Sequence, residues 1–295
     1  MLDLNYLHYN NKKHFVFIIN PISGTNRRIS FKELIQKEFK EYSFEIHITE
    51  RPQHASEIAS RYANQEDINV IGVGGDGTIN EIAQALVNTN TRMGIIPNGS
   101  GNGFAGHLLK NSTRNEAIQI LKNNRYALCD TLLINNNLCC NTSGIGLSAF
   151  VAYKFDTIGK RGLLSYVKLG LSTFYQFPTF NLTVDDIDYK DKLLLEITNS
   201  SQLGNKAFVS PDASVQDGNA ELVFLKKPSV FEVPSLIYDV FSGSFKRNKL
   251  AYHDKKHSSK IYLEKENHLH IDGEYKGLVR EVELKVLKQS LQFIC

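Results

Sequence analysis

Residues 68–87 read INVIGVGGDGTINEIAQALV, and the fold turns on this stretch. Residues 68–73 are a short, largely apolar run that starts after Glu66-Asp67 and ends at Gly74, the pattern of a buried strand. Gly74-Gly75-Asp76-Gly77 then makes a tight turn. Beyond it Ile79, Ile82, Ala83, Leu86 and Val87 recur at three- and four-residue spacing, which predicts a helix over 78–87. A strand, a glycine turn and a helix in that order form the opening of a βαβ unit.

The same order repeats on both sides. Residues 14–20 (HFVFIIN), 44–49 and 93–97 read as further strands, with helical patterns over 30–39, 54–64 and after 97. Strands alternating with helices predict an α/β domain over 13–130 built on a mostly parallel sheet. After about residue 131 the pattern changes. Residues 193–198, 221–225, 260–264, 268–272 and 281–287 are short β segments, and EVELKVL (281–287) alternates with Val282, Leu284 and Val286 on one face. This half, 131–295, reads as an antiparallel β-sandwich domain, with the last strand free to return to the first domain. Helical patterns at 163–177 and 230–245 interrupt it. No repeat or long linker separates the halves, so a nucleotide site in a shared interdomain cleft is expected.

Three loops follow three predicted strands, at the carboxyl edge where open α/β sheets bind ligands. They are Asn20-Pro21-Ile22-Ser23-Gly24, then Gly74-Gly75-Asp76-Gly77-Thr78, then Pro97-Asn98-Gly99-Ser100-Gly101-Asn102-Gly103. Glycines let backbone N–H groups come close to phosphate oxygens, and a following helix N-terminus adds positive potential. Ser23, Thr78, Ser100 and Asn102 offer side-chain hydrogen bonds besides. Each loop also has a plainer reading. Asn-Pro with Ser-Gly makes ordinary turns, and Thr78-x-x-Glu81 matches a capping box that merely starts a helix. Asp76, an acid between glycines, suits indirect metal binding.

The 295 residues carry a formal charge of +3, too little to imply nucleic-acid binding. Cys129, Cys139, Cys140 and Cys295 form no C-x-x-C pair, so a zinc site or disulfide framework is not expected. Residues 1–13 lack the apolar stretch of a signal peptide, and no run of about 18 apolar residues occurs. These features predict a cytoplasmic protein.

GGDGTINE followed by PNGSGNGFA, with NPISG near the N-terminus, resembles the diacylglycerol kinase and sphingosine kinase-like lipid kinase family, in its bacterial diacylglycerol kinase-like branch. Asp217-Gly218 and Asp272-Gly273-Glu274 match as well, and the motifs run in the expected order along nearly the whole chain. GGDG alone also occurs in NAD kinases and phosphofructokinases; its combination with PxGSGN and a late DGE is more selective.

The resemblance implies ATP and Mg²⁺ as cofactors and a lipid hydroxyl as phosphoryl acceptor. Asn20, Pro21, Ile22, Ser23 and Gly24 would line the nucleotide phosphates, with Thr49 nearby. Gly74, Gly75, Asp76, Gly77, Thr78, Ile79, Asn80 and Glu81 would form the central ATP loop, and Ser100, Gly101 and Asn102 the third. In SPDASVQDGN (210–219), Ser214, Asp217 and Asn219 would hold magnesium, linked through water to Asp76. Asp272 and Glu274 would be the acidic pair at the acceptor hydroxyl, either serving as base. Without the resemblance, Asp217-Gly218 and Asp272-Gly273 read as type I′ hairpin turns.

Diacylglycerol is the leading acceptor. The SGNG form of the third loop is closer to sphingosine kinases, which keeps a sphingoid base or phosphatidylglycerol as the alternative. NAD kinase and a non-catalytic nucleotide or lipid sensor fit fewer of the motifs. The lipid would be drawn from the membrane surface by transient peripheral contact at the inner face, with no nucleic-acid partner; a homodimer stays open. His268 and His270 share one strand face, for which exposed histidines are a simpler reading than a metal site. Arg27, Arg28, Lys160 and Arg161 read as solvated surface with a second reading as phosphate or lipid contacts. The aromatic stretch 163–177 reads as a core helix or the border of a lipid channel.

Overall fold

The computed structural model describes residues 5, 7–8, 14–24, 30–99, 101–158, 169–170 and 172–295. Ser100, Arg27, Arg28, Lys160, Arg161 and, within 163–177, residues 163–168 and 171 lie outside them. The chain forms two compact units: residues 1–130 with 288–295, and residues 131–287.

The first unit contains β1 (Leu7–His8), β2 (His14–Ile19), α1 (Phe31–Glu38), β3 (Ser43–Ile48), α2 (His54–Ser60), β4 (Ile68–Gly74), α3 (Asp76–Leu86), β5 (Arg92–Pro97), α4 (Gly103–Leu108), α5 (Arg114–Asn123) and the start of β6 (Arg125–Ile134). β5, β4, β2 and β3 pair side by side, all parallel. β2 and β4 are buried almost throughout, whereas the edge strand β3 exposes Ser43, Glu45 and Ile48. A central parallel strand is covered on both faces, which is why its sequence is a continuous apolar run. Phe15, Phe17, Phe39 and Ile71 fill the core on one side. Ser30 caps α1 by accepting the Glu33 N–H, and Thr113 and Glu116 make a capping box at α5.

The second unit continues β6 and adds β7 (Asn137–Cys139), β8 (Thr142–Gly146), α6 (Leu147–Ile158), β9 (Phe180–Val184), β10 (Ile187–Thr198), β11 (Ala220–Lys226), α7 (Val233–Ser242), β12 (Ala251–Lys256), β13 (Ser258–Ile271) and most of β14 (Glu274–Ile294). Pairings here are antiparallel, running β12-β11-β10-β8-β13-β14 with β9 against β10 and β13. In β14, Val282, Leu284 and Val286 are buried and the intervening Glu281, Glu283 and Lys285 exposed. The end of β14 runs parallel to β5 in the first unit, pairing Phe293 with Met93.

Three expectations need correction. The strands expected at 260–264 and 268–272 are one strand, β13, whose register shifts between Tyr262 and Asn267. The helix expected to 245 stops at Ser242, because Gly243 takes the left-handed conformation (φ 78°) and caps it. The helix expected at 78–87 begins at Asp76 with Gly75 as its N-cap.

Candidate active site

In the first unit the carboxyl ends of four parallel strands fall in register. Ile19 lies beside Ile48 and Val73, and Gly74 beside Pro97. Loops leaving these ends therefore share one edge, and hydrogen bonds tie them together. Asn20 uses both ends of its amide: Oδ1 accepts the Ile22 N–H (3.1 Å), and Nδ2 donates to Thr78 Oγ1 (3.2 Å). The Asn98 N–H donates to the Gly74 carbonyl (2.8 Å), and Asn98 Nδ2 to the Ser23 carbonyl (2.8 Å). Thr49 is buried at the end of β3, its N–H bound to the Ile19 carbonyl (2.9 Å).

The glycines are needed where backbones meet. A Cβ on Gly75 would lie 2.9 Å from the Gly99 Cα, and one on Gly99 2.5 Å from the Gly75 Cα. Real Cβ atoms do not approach backbone so closely, so the second and third loops pack only as glycine on glycine. Gly77, by contrast, faces open space. The first turn of α3, which follows this loop directly, carries backbone N–H groups that lack intrahelical partners.

The residues carried over to the phosphate site divide accordingly. Asn20 to Gly24, Thr49, Gly74 to Thr78, Gly101 and Asn102 gather at this edge. Ile79 is buried in the core beneath it. Glu81 does not complete a capping box: its Oε2 accepts the Ala55 N–H (3.1 Å), joining α3 to α2, while Thr78 sits buried inside the first turn. Asn80 is buried on α3. Asn102 closes its own loop, accepting the Gly99 N–H (3.0 Å) and donating to the Gly99 carbonyl (2.9 Å). Ser100, between them, lies outside the described residues.

Asn98 was expected only as part of the third loop, with no role of its own, and Arg114 was not expected at the site at all. Arg114 Nη2 donates to Asn98 Oδ1 (3.2 Å), and its guanidinium carbon lies 4.9 Å from the centre of the Phe31 ring. The sequence carries one signal for it. The capping box at Thr113 puts Arg114 in a first helical turn, where the helix dipole disfavours a cation.

In the second unit, Asp217 Oδ1 accepts the Asn219 N–H (3.0 Å), and Asn219 Nδ2 donates back to the Asp217 carbonyl (2.9 Å). Ser214 Oγ accepts the Gln216 N–H (3.3 Å) in the same loop. Asp217 Oδ2 pairs with Lys255 Nζ (2.8 Å), which also lies 3.6 Å from buried Glu221. Burial works against the Lys255 charge, but Asp217 and Glu221 outweigh it and raise its pKa. For magnesium the donors fit in kind: a carboxylate, a hydroxyl, an amide and backbone carbonyls, all oxygen. Among the described residues no three His, Cys, Asp or Glu side chains gather in a metal-binding group. A metal here would draw on carbonyls and water, and would share Asp217 with Lys255.

The Asp272-Gly273 turn joins β13 to β14 with both residues at positive φ (48° and 83°) and Ile271 paired to Glu274. This is the two-residue hairpin that Asp-Gly favours. Its two acids differ sharply. Asp272 Oδ2 accepts the Cys140 N–H (2.8 Å), and Oδ1 accepts those of Asn141 (2.8 Å) and Thr142 (3.0 Å). The Cys139 thiol donates to Oδ1 as well (3.4 Å). Burial, with the Asp272 charge next, pushes that thiol's pKa well up and keeps it protonated. Glu274 is 61% exposed and pairs with Lys276 (3.0 Å).

His270 and His268 are not exposed strand histidines. His270 is buried 3.6 Å from Glu196, and its Nδ1 accepts the Gly273 N–H (3.4 Å). His268 packs among Phe150, Tyr153 and Tyr275. Burial lowers its pKa.

Two families match the chain: residues 14–133 fit the "Diacylglycerol kinase catalytic domain" and residues 142–295 the "YegS C-terminal NAD kinase beta sandwich-like domain". A diacylglycerol kinase of Bacillus subtilis (strain 168) is 28% identical over 277 residues, 89% of this chain and 90% of its own. One of Staphylococcus haemolyticus is 28% identical over 274 residues, 88% and 82% of the two chains. The crystal structure of a diacylglycerol kinase from Bacillus anthracis superposes with a TM-score of 0.70 at 18% identity, over 97% of this chain and 98% of that one. The chain belongs to the bacterial diacylglycerol kinase-like lipid kinase family. It is a lipid kinase, and as a kinase it uses ATP. Among the described residues no helix is long and apolar enough to cross a membrane.

Proposed function

We propose that this lipid kinase transfers the γ-phosphoryl group of ATP to the hydroxyl of diacylglycerol, with Glu274 as the base. One observation carries the reading: three glycine-bearing loops meet at one edge of parallel strands, cross-linked by Asn20 and Asn98, and the second runs straight into the first turn of α3. Backbone N–H groups held in that way suit the β- and γ-phosphates, because they supply positive charge without having to reorganise. Thr78 and the loops of Asn20 and Gly101 add the remaining donors.

The acceptor hydroxyl gives its proton to Glu274 as its oxygen bonds to the γ-phosphorus. The bond from that phosphorus to the bridging oxygen breaks, and ADP leaves with the electron pair. The assignment to Glu274 rests on the contrast within the turn. Three backbone N–H groups engage the Asp272 carboxylate, which suits it to holding the hairpin, whereas Glu274 is open to a substrate. Tyr275, packed at a tilt against Tyr153 and His268, gives an aromatic wall next to Glu274 that suits a lipid. Ser214, Asp217 and Asn219 would hold magnesium, with Asp76 linked through water; when bound, it offsets phosphate charge.

Diacylglycerol is preferred because the relatives named above are diacylglycerol kinases. The SGNG form of the third loop favours a sphingoid base as the second reading. Purified protein incubated with ATP and diacylglycerol, phosphatidylglycerol or a sphingoid base in mixed micelles separates them. Diacylglycerol should be phosphorylated fastest. Faster turnover of either other lipid would reassign the acceptor.

A further inference from the structure

α7 is a surface helix whose exposed residues are largely apolar, Ser235, Ser242 and the Tyr238 hydroxyl being the polar exceptions. Leu236 and Val240, one turn apart, pack against Val209, Val223 and Phe245 of the second unit's core. On the outside, Pro234, Ile237, Tyr238 and Phe241 border an open apolar depression, and Val230 and Phe231 precede it. Phe231 is 95% exposed and Tyr238 70%. The helix has one charged residue, Asp239, and that carboxylate is turned onto Ser244 (2.7 Å) and Asn248 (2.6 Å) behind its C-terminus. A helix facing water ordinarily carries polar residues there. A contiguous apolar patch instead marks a surface that meets something apolar.

The flanking charge says what it meets. Lys226 and Lys227 lead into the segment, and Lys246, Arg247 and Lys249 lead out of it, against Glu232 and Asp239 within it and Asp212, which pairs with Lys246 (2.5 Å). Glu232 is paired with Lys249 (3.0 Å). Lys227 holds the carbonyls of Tyr175 (2.7 Å) and Phe177 (2.8 Å), which brings the exposed Tyr175 up to the same border. Apolar side chains along the helix with cations at both ends match a bilayer with anionic headgroups: hydrocarbon for the rings, phosphates for the lysines. A second copy of the chain fits poorly, because the same cations would confront one another.

We propose that α7, with Val230 and Phe231, is the surface by which the second unit rests on an anionic membrane while the enzyme takes its lipid. This rests on the reading of a membrane-borne acceptor, and the test keeps the two apart.

The full chain and a Phe231→Ser/Tyr238→Ser variant are sedimented with vesicles of phosphatidylcholine alone and of phosphatidylcholine with phosphatidylglycerol. Wild type should bind the anionic vesicles, less as salt rises, and the variant at least about tenfold less. A Lys246→Gln/Arg247→Gln variant should lose the preference for anionic vesicles. Both variants should melt with the wild type, since the substituted side chains are exposed. Undiminished binding by the ring variant overturns the proposal. So does wild type that is dimeric in sedimentation and variant that is monomeric, with vesicle binding unchanged, for the patch would then join two copies. Short-chain diacylglycerol in detergent micelles supplies the separate arm. There the ring variant should keep its wild-type rate while losing rate on vesicle-borne substrate. If wild type phosphorylates no lipid in either format, the acceptor reading fails, and the vesicle result still decides the surface.

Discussion

Exchanging the two acids of the hairpin one at a time tests the proposal that Asp272 holds the turn and Glu274 does the chemistry. Asp272→Asn keeps an acceptor at Oδ1 for the N–H groups of Asn141 and Thr142. At Oδ2, however, an amide NH₂ replaces oxygen and faces the Cys140 N–H, donor against donor. A bond from a backbone N–H to a charged carboxylate contributes about 1.5–3 kcal/mol, and the two remaining bonds weaken with the charge gone. The expected loss is about 2–4 kcal/mol, which in a domain of this size lowers Tm by about 10 °C. Glu274→Gln should cost less than about 1 kcal/mol, because it removes only an exposed pair with Lys276. Its kcat should instead fall on the order of 10²–10⁴-fold, as for removal of a general base. Thermal denaturation and single-turnover rates on both variants give the comparison. The reasoning fails if Asp272→Asn melts with the wild type, or if Glu274→Gln transfers phosphate at full rate.

Gly75→Val puts a side chain where the Gly99 backbone stands 2.9 Å from the Cβ position, so ATP affinity by calorimetry should fall at least about tenfold; unchanged affinity would make Gly75 a turn residue only. Asp217→Asn should raise the magnesium concentration giving half-maximal rate while leaving stability within about 1 kcal/mol, since Lys255 and Asp217 are partly exposed; an identical magnesium curve removes Asp217 from the metal site. Burial drives the His107 pKa down to about 4 from an ordinary 6.5, so the folded chain resists a proton that the unfolded chain accepts. Stability from this residue is complete above pH 6.5 and is lost as pH falls toward 4, by up to about 3 kcal/mol. Urea denaturation of His107→Gln should therefore show a shallower acid decline than wild type, and parallel declines would refute the assignment.

The sequence was most legible where one physical rule governed a segment. β2 and β4 are covered on both faces, so they read as apolar runs; the middle of β14 has one wet face, so it alternates. β8 (TSGIG) escaped notice for the opposite reason. It is buried between β10 and β13, and its glycines leave neither alternation nor an apolar run. The polar Glu264–Asn267 stretch looked like a break between strands, yet β13 passes through it with a shift of register. At the site, the glycines of the phosphate loops were visible because close backbone approach demands that residue. The nest around Asp272 was not, because Cys140, Asn141 and Thr142 lie some 130 residues away. Nor could local pattern tell Asp272 from Glu274, whose hydrogen-bond partners and exposure differ only in the folded chain. Arg114 needed the tertiary contact with Asn98 to acquire a meaning.

The most direct test follows the label from [γ-³²P]ATP into a chloroform-extractable product, using wild type and Glu274→Gln with diacylglycerol in mixed micelles. The account predicts one new labelled lipid, dependent on both enzyme and diacylglycerol, formed by wild type and reduced at least about a hundredfold by the substitution. Label recovered only as inorganic phosphate, or lipid labelled equally by both proteins, would contradict it.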